Sequence, residues 1–287
     1  PIEQLKKSDM DFTIAVKKLV LGKLILENAN LQVTTDDKVL RIGLVPEASV
    51  AHAKLDFDLA YDLKPKTPTL DLSLKTTAIK LENFLPVKNS SIEIKSSLSS
   101  SGSNLSTLVN NLDGKFLATA TPGEYLNGNA SFTNLLSNIF SSMITFEKAK
   151  PSTHFECAVV HFKVNNGVAV TSNGIALEAT TVNVVGSGRI DLRNGRINFS
   201  INPKNLSKNP LNVNEFSLAQ LIDINGTITN PVINLNPMSL INSTLNKTII
   251  SSFAAGIPGG IAAIAESLST KENTNANPNV CKAALEM

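Results

Sequence analysis

The segment His154–His161, HFECAVVH, holds the residues of this chain best suited to metal chemistry. Imidazole nitrogen and cysteine sulfur are common zinc ligands, and Cys157 lies between the two histidines. The segment has the character of a β-strand, however, and on a strand Cys157 and His161 lie about 13 Å apart at roughly 3.3 Å per residue. His154 and Cys157 would face opposite sides of that strand. The spacing therefore predicts no metal site.

Asp56, Asp58 and Asp62 in LDFDLAYDL form a second candidate group, because paired carboxylates can act as general acid and base. On a strand they share one face, and the simpler interpretation is that they solvate the wet side of a sheet. The chain has no GxSxG, HExxH, P-loop or GxGxxG motif, and Gly186-Ser187-Gly188 lacks a third glycine. We predict no catalytic residues, no cofactor and no enzymatic activity.

Cys157 and Cys281 are the two cysteines of the chain. In an oxidising compartment a bridge between them would close a loop of about 124 residues and tie the C-terminal segment to a strand. The alternative is two reduced, unrelated thiols. We expect the bridge.

Composition and charge exclude several classes of function. The net charge is +2, the basic residues are spread along the chain, and there are two Tyr and no Trp for base stacking, so we predict no nucleic-acid binding. No run of 18 strongly apolar residues is present. The start, PIEQLKKSDM, contains no apolar signal segment and begins with Pro, so we expect that an earlier part of the protein has been removed.

The elements that position these residues are predicted to be mostly strands. Apolar residues alternate with polar ones at 12–16, 55–63, 69–74 and 92–98, which indicates a sheet with one dry and one wet face. Asn-Gly turns at Asn166-Gly167 and Asn194-Gly195 predict hairpins, and another strand pair is expected around Asn225-Gly226 and Asn230-Pro231. Periodicity alone favours covering the dry face with a second sheet, as in a sandwich, over an open groove.

Helical spacing interrupts the strands. It predicts one helix from a Ser103 cap to an Asp113-Gly114 stop, a second at about 131–144, and a third that starts at Asn236-Pro237 and ends at Gly256. We divide the chain into a first β region, 1–101, a second β region with two helices, 102–236, a C-terminal helical hairpin, 237–269, and a mobile tail, 270–287, that contains Cys281.

Three ordered blocks resemble the AsmA family of Gram-negative bacteria. THFECAVVHFKVNNGVAVTSNGIALEATTVNVVGSGRIDLRNGRINFSINP, 153–203, is similar to the conserved C-terminal region of that family, with an F-x-C strand, an NG turn and a G-x-G-x-I-D-L run. NNLDGKFLATATPGEYLNGNASFTNLL, 110–136, and GTITNPVINLNP, 226–237, are similar to two further elements of the family. The blocks cover about a third of the chain, and the first hundred residues match the family only in character.

The resemblance implies a fold and a location. Members of the family are mainly β, with a long, curved antiparallel sheet that forms an open apolar groove, and a few amphipathic helices here would cap it. The resemblance further implies a periplasmic protein anchored in the inner membrane by an N-terminal helix that this chain lacks. Relatives take part in phospholipid movement and in outer-membrane biogenesis.

The function expected from this resemblance is to hold or conduct the acyl chains of phospholipid, with other envelope proteins as further partners. The residues expected to line the groove are Leu55, Phe57, Leu59, Tyr61, Leu70, Leu72 and Leu74. The alternative is a β-sandwich scaffold that assists outer-membrane protein assembly and binds no lipid.

Overall fold

The computed structural model describes residues 9–21, 24–44, 49–50, 53–83, 85–126, 152–180, 182–205, 221–236 and 279–287. Most of these residues lie in strands, and the described helices are short. The strands are β1 Met10–Leu21, β2 Leu24–Asp36, β3 Val39–Leu44, β4 Ser49–Val50, β5 Ala53–Asp62, β6 Thr69–Thr76, β7 Ile79–Lys80, β8 Val87–Lys88, β9 Ser91–Ser101, β10 Asp113–Ala120, β11 Gly123–Leu126, β12 Ser152–Asn165, β13 Val168–Ala179, β14 Val182–Asp191, β15 Arg196–Asn205, β16 Leu221–Thr227 and β17 Pro231–Asn236. The helices are α1 Leu105–Asn110, α2 Val280–Leu285 and a 3₁₀ turn at Leu81–Asn83.

All seventeen described strands belong to one antiparallel sheet, and their pairings follow the order of the chain. In four places, two successive strands lie end to end and together occupy one position in the sheet. These are β3 and β4, β6 and β7, β8 and β9, and β10 and β11. The sheet is therefore a meander of thirteen positions, from β1 to β17, and would be roughly 60 Å wide at about 4.8 Å per strand. Among the described residues β1 and β17 do not pair with each other, so the sheet is unclosed.

Cross-strand register keeps apolar side chains on one face of this sheet, called here the apolar face. In the first half, one row of directly opposed residues runs Phe12, Val33, Ile42, Leu59, Leu72 and Leu98. In the second half, a row starting from Ile94 on β9 runs Ala118, Val160, Ile175, Gly186, Ile201, Ile222 and Leu235. Ile94 and Leu98 are an even number of residues apart on the same strand, so both rows share one face.

The main buried core lies on the apolar face of the second half. Strands β12–β16 are rich in Val and Ile, whose branched side chains pack well on a pleated surface. Phe155, Val184, Ile201 and Ile224 are among the most completely buried side chains, and the Phe162 and Phe199 rings meet edge to face with centroids 6.0 Å apart.

A smaller cluster occupies the opposite face, where α2 packs against β12 and β13. Val280, Cys281 and Ala284 are buried against Val159 and Ala176. The prediction of a mobile tail over 270–287 therefore needs correction at its end. A helix forms there because an apolar patch and a disulfide hold its few residues in place.

The first predicted helix is shorter than expected. It spans Leu105–Asn110, and its N-cap is Asn104, whose side chain accepts the Thr107 amide at 2.9 Å. Asp113 and Gly114 lie in β10 and do not end the helix; Asn111, which donates to Thr107 O, lies at its C-terminus. The helices predicted at 131–144 and 237–256 lie outside the described residues.

The turns confirm most of the hairpin predictions. Asn166 and Gly167 join β12 to β13 with positive φ values of 48° and 73°, and Gly195 has a φ of 70° in the β14–β15 turn. The strand pair expected around Asn225-Gly226 and Asn230-Pro231 is confirmed as β16 and β17; residues 228–230 form the turn, and Asn225-Gly226 lies within β16. Gly186-Ser187-Gly188 likewise lies inside β14.

Candidate functional site

The seven predicted groove residues lie together on the apolar face. Within β5 and β6, Phe57 is opposite Leu74, Leu59 opposite Leu72, and Tyr61 opposite Leu70, while Leu55 is opposite Thr76. All seven are partly buried, and the alternate residues Asp56, Asp58, Asp71, Ser73 and Lys75 are exposed. The predicted alternation of dry and wet sides is therefore present in these strands.

Exposure of the apolar face differs between strands and is highest on the edge strand β1. In the second half Val184 is 0% exposed and Ile201 is 1% exposed. The β5 and β6 residues are intermediate, whereas Phe12 and Ile14 on β1 are each 45% exposed. On β2, between these regions, Val33 is 9% exposed, so the face is packed in the second half and on β2, half-open on β5 and β6, and most exposed on β1.

Tyr61 and Ser100 place polar atoms at the edge of the half-open region. The Tyr61 hydroxyl donates to the Gly102 carbonyl at 3.0 Å, and the Ser100 hydroxyl donates to the Leu108 carbonyl at 2.5 Å. These bonds tie the ends of β5 and β9 to the loop that carries α1. The apolar side chains further along β5 and β6 offer burial without directional contacts, which suits a flexible apolar ligand.

The opposite face of the same strands has a polar depression of about 450 Å³. It is lined by Asp58, Asp71, Ser73, Ser97, Ser99 and Lys115, together with parts of Leu72, Leu98 and Gly114. The carboxylates there are exposed, as expected for the wet side of the sheet.

Cys157 and Cys281 form a disulfide, with Cα atoms 6.5 Å apart and a sequence separation of 124. This confirms the predicted pairing. The histidines are engaged separately: His154 Nε2 lies 3.2 Å from Glu156 Oε1, and buried His161 Nδ1 lies 3.1 Å from the Ala284 carbonyl of α2. A register shift between Phe155 and Cys157 interrupts the alternation of side-chain directions along β12. The expectation that His154 and Cys157 face opposite sides of the strand relied on that alternation.

Glu178 is a residue that sequence reasoning missed. Its Oε1 accepts the Cys281 amide at 3.0 Å, and its carboxylate lies with both cysteine sulfurs in a group whose atoms are within 4.8 Å of one another. Such a trio could bind a metal only as free thiolates, and the sulfurs are bonded to each other. Glu178 lies beside the disulfide because it is directly opposite Cys157 in the β12–β13 pair. The sequence does not reveal that register.

The clearest electrostatic effects lie in the turns, away from the apolar face. Arg193 donates from Nε to Asp191 Oδ1 at 2.7 Å and from a terminal nitrogen to Oδ2 at 2.8 Å. The Arg193 side chain, followed by its backbone amide and the Asn194 side chain, lowers the pKa of Asp191 to about 2. At the β2–β3 turn, the hydrogen bond from Lys64 likewise lowers the pKa of Asp37 and raises that of Lys64.

None of the helices in the described ranges has both the length and the apolar character needed to cross a membrane. Comparison of the chain with protein-family models, with curated proteins and with solved structures finds no match. No family assignment follows from these comparisons.

Proposed function

We propose that this chain is an AsmA-like domain without enzymatic activity, whose apolar face holds or conducts the acyl chains of phospholipid in the periplasm of a Gram-negative bacterium. In the same proposal, an N-terminal helix outside this chain anchors it to the inner membrane. The observation that carries the proposal is the single apolar face that runs in register across the sheet, half-exposed on β5 and β6 and most exposed on β1.

The free energy of acyl burial supports this use of the face. Each methylene removed from water contributes about 0.8 kcal/mol, so a sixteen-carbon chain would gain at most roughly 13 kcal/mol. That gain offsets much of the cost of moving a lipid through water. It requires no charged group on the face, which agrees with the β5 and β6 set, whose only polar atoms are the hydroxyls of Tyr61 and Thr76.

The differences in burial between strands favour a lipid site in the first half of the sheet. Side chains such as Val184 and Ile224 are already packed and have little surface left to cover a ligand. Phe57, Leu72 and their neighbours retain exposed apolar area, and Phe12 and Ile14 retain the most. Acyl chains would therefore lie against β3, β5 and β6 and against the edge strand β1, with headgroups in water at the ends of the strands.

The test is native mass spectrometry with lipid extraction on the chain purified from a bacterial periplasm without reductant. Leu72→Asp puts a carboxylate on the apolar face, and Ser73→Asp puts the same group on the exposed face of the same strand. We expect phospholipid on the wild type and on Ser73→Asp, and loss of it from Leu72→Asp. Circular dichroism would check that both variants remain folded.

A folded wild-type chain without lipid would contradict the proposal, as would equal lipid content in the two variants. The scaffold function predicted as the alternative would then be favoured. Against a two-sheet sandwich stands the single hydrogen-bonded sheet formed by the described strands.

A further inference from the structure

Strand β1 is a long edge with an exposed apolar side. It pairs with β2 on one side, and no strand among the described residues pairs with its other side. Met10, Phe12 and Ile14 are exposed on its apolar face, and Asp11, Thr13 and Lys17 are exposed on its polar face. Such an edge is a template for pairing with another strand.

The other edge, β17, is different. It has six residues and begins with Pro231, which cannot donate a backbone hydrogen bond, whereas β1 has twelve residues and no proline. Short length and proline are common protections of sheet edges. Of these two edge strands, β1 is therefore the one better suited to pair with a partner strand.

We propose that β1 pairs with β1 of a second copy of this chain, antiparallel about a two-fold axis at Ile14. The Met10 amide donates to Thr35 Oγ1 on β2, so the backbone groups of the even-numbered residues point inward and those of the odd-numbered residues point outward. Backbone hydrogen bonds between two copies can form only if residues whose N–H and C=O groups point outward in one copy lie opposite such residues in the other. A register in which paired residue numbers sum to 28 satisfies this condition.

In that register opposite charges meet on the polar face and apolar residues meet at the centre of the apolar face, while Met10 lies opposite Lys18 at each end. Asp11 of each copy lies opposite Lys17 of the other, and neither residue has an ion pair among the described part of the chain. Phe12 lies opposite Val16, and Ile14 meets its own counterpart, so the two apolar faces join. A two-fold pairing closes on itself, whereas joining β1 to β17 of the next copy would give an open chain of molecules.

The first test is cross-linking of Ile14→Cys in the full 287-residue chain. Both native cysteines are in the disulfide, so an added thiol can be oxidised without competition. Ile14 would face itself in a non-hydrogen-bonded pair, where the two chains come closest. We expect mild oxidation to give covalent dimer for Ile14→Cys and little for Val232→Cys, a control on β17 with similar exposure of 49%.

The second test is a charge swap followed by analytical ultracentrifugation. We expect the wild type to dimerise reversibly, Asp11→Lys and Lys17→Asp each to weaken dimerisation roughly tenfold, and the double variant to recover it. A monomeric wild type at high concentration would overturn the proposal. Equal cross-linking at positions 14 and 232, or a double variant no better than the single ones, would overturn this register. None of these outcomes depends on bound lipid.

Discussion

The disulfide is expected to contribute a large part of the stability of this protein. It joins Cys157 on β12 to Cys281 on α2 across 124 residues of sequence. In the chain-entropy model a loop of that length restricts the unfolded chain by about 16 cal/mol/K, or about 5 kcal/mol at 25 °C. We predict that Cys157→Ser/Cys281→Ser lowers the free energy of unfolding by roughly 2 to 5 kcal/mol.

We expect a loss of unfolding free energy in the lower part of that range if α2 detaches from the sheet in the folded double variant. The helix has six residues, and its N-cap, Asn279, makes no side-chain capping bond. A helix this short is not stable by itself, so it depends on the disulfide and on the burial of Val280 and Ala284. Once α2 leaves, His161 loses its contact with the Ala284 carbonyl and becomes exposed.

Two measurements together test this prediction. Urea unfolding should be followed by circular dichroism, since the chain has no tryptophan. Amide hydrogen exchange should show that residues 280–285 lose protection in the double variant while β13 keeps it. Leu285→Ser, at a position 44% exposed on the same helix, is the control and should leave both readouts unchanged. An unchanged unfolding midpoint and a protected α2 in the double variant would refute the reasoning.

Two further predictions concern single residues. Because Arg193 lowers the pKa of Asp191 to about 2 from an ordinary 3.8, its ionised form stabilises the fold above pH 4, and this contribution is lost as the pH falls towards 2. Urea midpoints should therefore show Asp191→Asn weaker than wild type at pH 7 and nearly equal to it at pH 2; an equal gap at both pH values would contradict this assignment. A Cβ on Gly186 would lie 2.5 Å from Ile201 Cδ1 and 3.0 Å from Ile175 Cβ, so we expect Gly186→Val to cost about 1 to 3 kcal/mol. Thermal unfolding measures that cost. Adding Ile201→Ala to Gly186→Val should recover part of the lost stability. An unchanged unfolding midpoint for Gly186→Val would show that the strands can move apart.

The sequence predicts those features of the fold that depend on neighbouring residues. Alternation in LDFDLAYDL identifies the face on which Phe57 and Leu59 lie, because side-chain direction on a strand follows from spacing alone. Asn166-Gly167 identifies a turn because few other residues adopt positive φ at low cost. The disulfide was predictable because only one pairing of two cysteines exists.

Features that depend on distant partners were not predictable. The register shift after Phe155 comes from the pairing of β12 with β13, and the position of Glu178 beside Cys281 depends on it. Helix α2 forms against Val159 and Ala176, which lie more than a hundred residues earlier. Periodicity also favoured a second covering sheet, since it reports that a face is dry and not what lies over it.

The chain-order arrangement of the sheet has a consequence for folding kinetics. Every strand position pairs with the position just before or after it along the chain, so the meander can grow one hairpin at a time as the polypeptide becomes available. The bond between Cys157 and Cys281 is the exception, because it needs the last helix to reach a strand made much earlier. Oxidation should therefore come last, on the slower timescale of disulfide formation, and lock a sheet that has already formed.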